Sequence, residues 1–405
     1  MTHLRCSDRA CDATLDLHAR ALACPQCGEL LEVALDRPQL SPDELKRLWS
    51  ARRQSFAEAD SSGVWRYREL LPPFPEASII TLQEGNVPLV TAPRSAAWAG
   101  VEHLAFKHLG WNPTGCFKDL GMTVGMTEAC FIGAKVVACA STGNTAGSLA
   151  AYAARAGIAG RVYLPSGQVS ANKLAQSLDY GAEVVEIAGS FDDALNRLLE
   201  LSGDAIYFLN SVNPFRIEGQ KTAMVELMEQ CGWRAPDYLI VPGGNLGNTA
   251  AFGKAFREMI DFGLIDRAPR MVVVQAAGAN PFATMWREGR SSLHPVEHPE
   301  TEATAIRIGN PRSWKKAWNA VRETGGMVLD VTDEEIAAAK AVIGRDGIGC
   351  EPASATTLAG LRKLREDHTI DSDASIVAVL TGHVLKDTAY ILRHDRSAQV
   401  LAQAH

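Results

Sequence analysis

Beyond about residue 135, short and mostly apolar runs alternate with longer stretches in which apolar residues recur every three or four positions. The runs at 135–140, 161–165, 182–188, 205–210, 238–241, 271–276 and 375–380 predict strands buried on both faces, with helices between them. That alternation predicts an α/β protein with parallel sheets covered on both sides. Residues 37–78 read as a polar, partly helical arm. In it, Ser41-Pro42-Asp43-Glu44 starts a helix with a capping box, and Leu71-Pro72-Pro73-Phe74-Pro75 ends the segment. Residues 1–36 form a separate small unit marked by cysteines.

Three predicted strands run into loops of small residues. The first ends in Ser141-Thr142-Gly143-Asn144-Thr145, ahead of a small-residue helix stopped by Gly157. Its free N–H groups, two hydroxyls and an amide suit a carboxylate or phenolate oxygen, and also an ordinary capped turn. The second is Pro242-Gly243-Gly244-Asn245-Leu246-Gly247-Asn248, followed by a helix face of Phe252, Phe256, Met259 and Ile260. Three glycines in five residues let backbone N–H groups close around a phosphate at a helix N-terminus. No Gly-Lys-Ser/Thr follows and the Gly-x-Gly-x-x-Gly spacing is absent, which points to a phosphorylated cofactor smaller than a nucleotide. The third loop, Thr381-Gly382-His383-Val384-Leu385-Lys386-Asp387, puts a hydroxyl at a strand end, where it meets a pyridine nitrogen or merely turns.

Lys118 follows Thr114-Gly115-Cys116-Phe117 and opens a helical periodicity of Leu120, Val124, Thr127 and Phe131. The positive backbone potential of a helix start favours a neutral amine, the form that attacks an aldehyde to make a Schiff base. A solvated surface lysine fits the same spacing.

The words GNVPLV at 85–90, PTGCFKDLGMT at 113–123, ACASTGNTAGS at 138–148, LNSVNPFRIEGQKT at 209–222, VPGGNLGN at 241–248 and TGHVLKD at 381–387 together span roughly residues 60–390. In these words the chain resembles the pyridoxal-phosphate enzymes of the tryptophan-synthase-β type (fold type II), and among them the threonine synthases. The resemblance implies two parallel-sheet, three-layer domains within a catalytic region at 79–396. The smaller subdomain is at roughly 118–222, the larger comes from 79–117 and 223–396, and pyridoxal 5'-phosphate lies between them. It implies Lys118 as the Schiff-base anchor and proton carrier, Asn144 at the ring's phenolic oxygen and Thr381 at the pyridine nitrogen. Gly243, Gly244, Asn245, Leu246 and Gly247 would hold the cofactor phosphate. Ser141 and Thr142 would take the substrate α-carboxylate, and Asn210 and Arg216 the substrate's own phosphate. Phe117 is either a ring neighbour or plain core. The implied reaction converts O-phospho-L-homoserine and water to L-threonine and phosphate, carried out by a homodimer acting as a carbon–oxygen lyase on a phosphate ester.

Three positions depart from the family pattern: Cys116 where serine is usual, Val87 where threonine is usual, and Val384 where glycine is usual. The two lost hydroxyls bring in cysteate synthase, acting on O-phosphoserine and sulfite, as an alternative, and a threonine or serine dehydratase after it.

Composition narrows the class. The 405 residues are 46% hydrophobic and 21% charged, as expected of an ordinary enzyme with ample core. A net charge of −7 without a basic stripe argues against nucleic acid as a partner. No apolar run is long enough to span a membrane, and the first residues lack a signal-peptide core. Nine cysteines, an odd number, fit a reducing cytoplasm. Four of them, Cys6, Cys11, Cys24 and Cys27, form two pairs flanking a hairpin-like segment. This is the pattern of a zinc ribbon with a tetrahedral S4 site, or of a ribbon folded without metal. Cys116, Cys130, Cys139, Cys231 and Cys350 lie in or beside apolar segments and read as core.

Overall fold

A computed structural model describes residues 1–141, 143–166, 171–188 and 206–394. At the N-terminus β1 (His3–Cys6), β2 (Thr14–Leu15) and β3 (Leu31–Ala34) make a small antiparallel sheet in the order β2-β1-β3. Then come β4 (Leu89–Thr91), β5 (His103–His108), β6 (Val136–Ala140), β7 (Ala159–Pro165), β8 (Glu183–Ile187), β9 (Ile206–Phe208), β10 (Tyr238–Pro242), β11 (Arg270–Ala276), β12 (Met327–Val331) and β13 (Ser375–Leu380). One sheet has the order β12-β11-β10-β13-β5-β4, parallel except for β4; the other is all parallel in the order β8-β7-β6-β9.

Each of the seven apolar runs forms a strand, but three strands of the six-stranded sheet carry no such run. In β5 the sequence HLAFKH hides a wholly buried strand segment behind a lysine. Lys107 is 0% exposed, and its Nζ donates to Glu226 Oε1 (2.9 Å), Gln230 Oε1 (2.8 Å) and Val87 O (2.9 Å). A buried cation survives there because every donor is used. The strand β4 is a three-residue edge, and β12 carries Asp330 on a half-buried face.

Two helix crossings set the site. Helix Lys118–Phe131 lies against helix Pro214–Gln230, which in turn packs on helix Gly247–Asp261. The first contact is backbone-close: a Cβ at Gly219 would overlap Leu120 O, and one at Gly121 would lie 2.6 Å from Arg216 O. Only glycine permits that approach, which brings the start of one helix beside Arg216 in the other. No helix among the described residues is long and apolar enough to cross a membrane.

Candidate active site

The loops expected to carry chemistry all leave the carboxyl ends of β6, β10 and β13, the usual place for a ligand in parallel α/β sheets. The turn before Lys118 is stapled from two sides. Asp119, fully buried, accepts from Thr114 N (2.7 Å), Thr114 Oγ1 (2.6 Å) and Ser148 Oγ (2.6 Å), and burial lifts its carboxyl to about 6. On the other side the turn is zipped to the loop after β13. Phe117 N donates to Thr381 O (2.9 Å), His383 N to Gly115 O (2.9 Å), and Cys116 bridges Gly382.

Lys118 is the first residue of its helix, and its amine makes no hydrogen bond among the described residues. Its Nζ lies 4.2 Å from the centre of the Phe117 ring, and Phe117 is at the same time part of the main apolar core. Burial, followed by the charge of Arg216, pulls the amine down to about 8; Cys116 and Glu351 oppose the shift more weakly. The neutral amine expected from the sequence is therefore favoured chiefly by loss of hydration and a neighbouring cation.

Arg216 is 1% exposed, and burial lowers its guanidinium to about 10. Its contacts are one long bond from Nη1 to Leu209 O (3.4 Å) and a buried Nε with no partner. No carboxylate pairs with it among the described residues. A buried guanidinium in this state has donors that an anionic group would satisfy.

Sequence reading missed Glu351. It is 4% exposed and joins two expected cofactor contacts, accepting from Asn144 Nδ2 (3.0 Å) and Thr381 Oγ1 (2.9 Å). Thr381 Oγ1 also lies 3.0 Å from Ser354 Oγ. Burial raises the Glu351 carboxyl above its ordinary range, against the pull of those bonds, Lys386 and Lys118. A Cβ at Gly382 would strike the carboxyl, so the glycine of Thr-Gly-His makes room for it. The glutamate stands before Pro352 at a helix start.

In the glycine loop, Gly243 N donates to Val274 O (2.7 Å) and is committed to the sheet. The next four N–H groups, of Gly244, Asn245, Leu246 and Gly247, have no partner among the described residues. They gather at the start of helix Gly247–Asp261, where Leu246 takes the left-handed conformation (φ 62°). Four free N–H groups at a helix N-terminus fit a phosphate. The Asn245 side chain ties neighbours together: Nδ2 donates to Ser211 Oγ (2.7 Å) and Oδ1 accepts from Arg312 N (2.7 Å). Asn210 donates to Ala140 O (3.2 Å), anchoring its loop to the end of β6. Ser141 Oγ accepts from Gly143 N (3.3 Å), and Thr142 lies outside the described residues.

Val87 is 1% exposed within the main apolar core, so the hydroxyl missing there is not missing from an open cleft. Cys116 is fully buried beside Thr114 Oγ1 (3.6 Å) and Asn144 O (3.8 Å), and burial pushes its thiol up to about 11.

Away from the cleft, the Sγ atoms of Cys6, Cys11, Cys24 and Cys27 lie within 4.8 Å of one another. Two of their separations are 3.4 Å (Cys6–Cys27) and 3.7 Å (Cys11–Cys24). Zinc with four sulfurs at about 2.3 Å sets them about 3.8 Å apart, so the thiols fit a tetrahedral zinc ion.

A lysine with a free, depressed amine, a four-amide phosphate cradle and polar groups at two further loops suit pyridoxal phosphate. The family model described as pyridoxal-phosphate dependent enzyme matches residues 80–382. The fold agrees: a threonine deaminase isoform from Solanum lycopersicum superposes with a TM-score of 0.66 over 92% of this chain and 93% of that one, at 20% identity. Maize serine racemase gives 0.64 over 89% and 98%, also at 20% identity. These features define a pyridoxal-phosphate-dependent enzyme of fold type II.

The curated relatives narrow it. Threonine synthase of Methanocaldococcus jannaschii is 46% identical over 95% of this chain and 93% of its own length. That of Methanosarcina acetivorans is 44% identical over 97% and 94%, and that of Synechocystis 48% over 79% and 82%. The chain belongs to the threonine synthase family.

Proposed function

We propose that this enzyme converts O-phospho-L-homoserine and water to L-threonine and inorganic phosphate. The observation that carries the reading is the nearness of Lys118, a partly buried amine with no hydrogen bond among the described residues, to Arg216, a buried guanidinium with no carboxylate partner among them. One is equipped to move protons, the other to receive a phosphate ester.

Pyridoxal phosphate, when bound, supplies the electron sink that lets protons leave carbons near the amino group. The N–H groups of Gly244, Asn245, Leu246 and Gly247 hold its phosphate, Lys118 anchors it, and Asn144 and Thr381 meet its ring. Lys118 Nζ then carries protons between substrate carbons. Arg216 receives the substrate phosphate, with Asn210 holding that loop on β6, and Ser141 and Thr142 take the α-carboxylate. Glu351 keeps the Asn144 amide and the Thr381 hydroxyl aimed from opposite sides of one carboxyl. The smaller subdomain is taken as residues 118–222. The nine free thiols support a reducing, cytoplasmic setting, and a homodimer rests on the resemblance alone.

The direct test offers purified, cofactor-loaded protein O-phospho-L-homoserine, or O-phosphoserine with sulfite, and assays phosphate release and the amino acid formed. Threonine from the first and no cysteate from the second is the expected result. Cysteate formation, or ammonia release from threonine without phosphohomoserine turnover, would sink the proposal.

Glu351→Gln provides a narrower check. An amide NH2, which only donates, replaces one of the two carboxylate oxygens, so one of the bonds from Asn144 and Thr381 is lost. A bond to a charged group is worth about 1.5–3 kcal/mol, so kcat should fall roughly ten- to hundredfold with the cofactor still attached. Unchanged kcat would show that Glu351 only packs.

A further inference from the structure

The most heavily charged buried cluster in the described structure lies outside the cleft, where the cysteine ribbon meets the helices behind the site. Lys254, 4% exposed on helix Gly247–Asp261, donates to Val33 O (2.5 Å) in β3 and pairs with Glu218. Glu218, wholly buried, also binds Lys221 (2.5 Å), and Lys221 binds Glu258 (2.6 Å). Lys316, on helix Trp314–Glu323, donates to Leu31 O (2.7 Å). Between these two carbonyls stands Glu32, facing Lys254, Lys316, Arg257 and Arg5. Two of the ribbon's three consecutive residues thus offer carbonyl oxygens to buried lysines, and the middle one offers a carboxylate.

Those lysines matter to the cleft through the helices that bear them. Helix Gly247–Asp261 begins with the phosphate cradle, and Glu218 lies two residues beyond Arg216. Lys254 therefore joins the cradle helix to the Arg216 helix, with β3 as the third contact.

The position of β3 depends on the thiols. Cys6 stands directly opposite Leu31 in the β1–β3 register, and Cys24 N donates to Glu29 O (2.7 Å) in the turn leading to β3. Gly28 takes the left-handed conformation (φ 75°) that closes the Cys24–Cys27 knuckle. Without a metal, no bond ties the four sulfurs together at the point that sets where Leu31, Glu32 and Val33 lie.

We propose that zinc in the Cys6–Cys11–Cys24–Cys27 site holds β3 as a clamp on the cradle and Arg216 helices, so that metal occupancy sets the affinity of the distant cleft for its phosphate cofactor. The proposal rests on the zinc reading of the four thiols and on the cofactor reading of the cleft. A ribbon that merely caps the surface would add stability without touching cofactor affinity.

The test uses the full-length protein kept reduced. Zinc is measured first, and one ion per chain is expected; its absence from protein prepared without chelator overturns the proposal. The cofactor is then removed, and its dissociation constant is measured with zinc present and after chelation, at a temperature where circular dichroism shows both forms folded. Chelation should weaken cofactor binding about tenfold, the effect of losing roughly one well-made polar contact behind the cradle. A change under twofold overturns the coupling, leaving the zinc site and the catalytic reading intact. Glu32→Gln keeps all four thiols, and should keep zinc while weakening cofactor binding about threefold or more. Should chelation unfold the chain, this variant decides: unchanged affinity with zinc bound overturns the clamp. Failure of the catalytic reading would appear separately, as a loaded enzyme that releases no phosphate.

Discussion

Lys118→Ala is expected to abolish turnover and the visible absorbance of the covalently held cofactor, while the protein still folds. The amine makes no hydrogen bond among the described residues, so alanine removes little beyond its contact with the Phe117 ring; what it chiefly removes is the nucleophile and the proton carrier. A variant that still makes product after borohydride treatment and dialysis would exclude Lys118 as the anchor. The wild-type protein should also show a pH signature. With the folded amine at about 8 against an ordinary 10.5, capture of added cofactor should quicken through about pH 8 and level off above it. The sign in stability follows. Between about pH 8 and 10.5 the unfolded chain holds a proton that the folded chain has released, so wild type should gain stability over Lys118→Ala as pH rises through that window. A capture midpoint near 10.5 would mean a solvated amine.

Arg216→Leu should separate catalysis from stability. In a closed site the guanidinium's contact with a substrate phosphate is worth about 2–5 kcal/mol, a roughly thirtyfold to several-thousandfold loss in kcat/KM for phosphohomoserine. Cofactor binding should barely change, because the cofactor phosphate has its own four-amide cradle. Melting of the substrate-free protein should move upward, since leucine replaces a buried cation that has an unpartnered Nε and no carboxylate partner among the described residues. A kcat/KM loss below about threefold would remove the phosphate-ester substrate class from this site. The neighbouring amine responds too: without Arg216's charge, Lys118 should titrate above about 8, which the capture experiment measures directly.

Much of this architecture was legible before folding. Parallel strands covered on both faces leave contiguous apolar runs, and the turns after β6, β10 and β13 need glycines and hydroxyls to expose backbone N–H groups. Lys118 and the three loops were readable for that reason, since each is a local pattern of a few residues. The paired cysteines were readable as pairs, but their convergence depends on β1 lying in register with β3.

What depends on partners far away in the chain was not legible. A lysine in HLAFKH argues against a buried strand until Glu226 and Gln230 are seen to receive it, which is why β5 was missed. Val87 looked like a lost substrate contact until the fold placed it in the core. Glu351 was not singled out in the sequence, because its partners are 207 and 30 positions away. Sequence determined which residue types stood where and which short elements they would form. Only the tertiary structure decided that Lys118 would stand beside a buried guanidinium with no carboxylate partner among the described residues, because hydration and charge are settled by what surrounds a group in space, not by its neighbours along the chain.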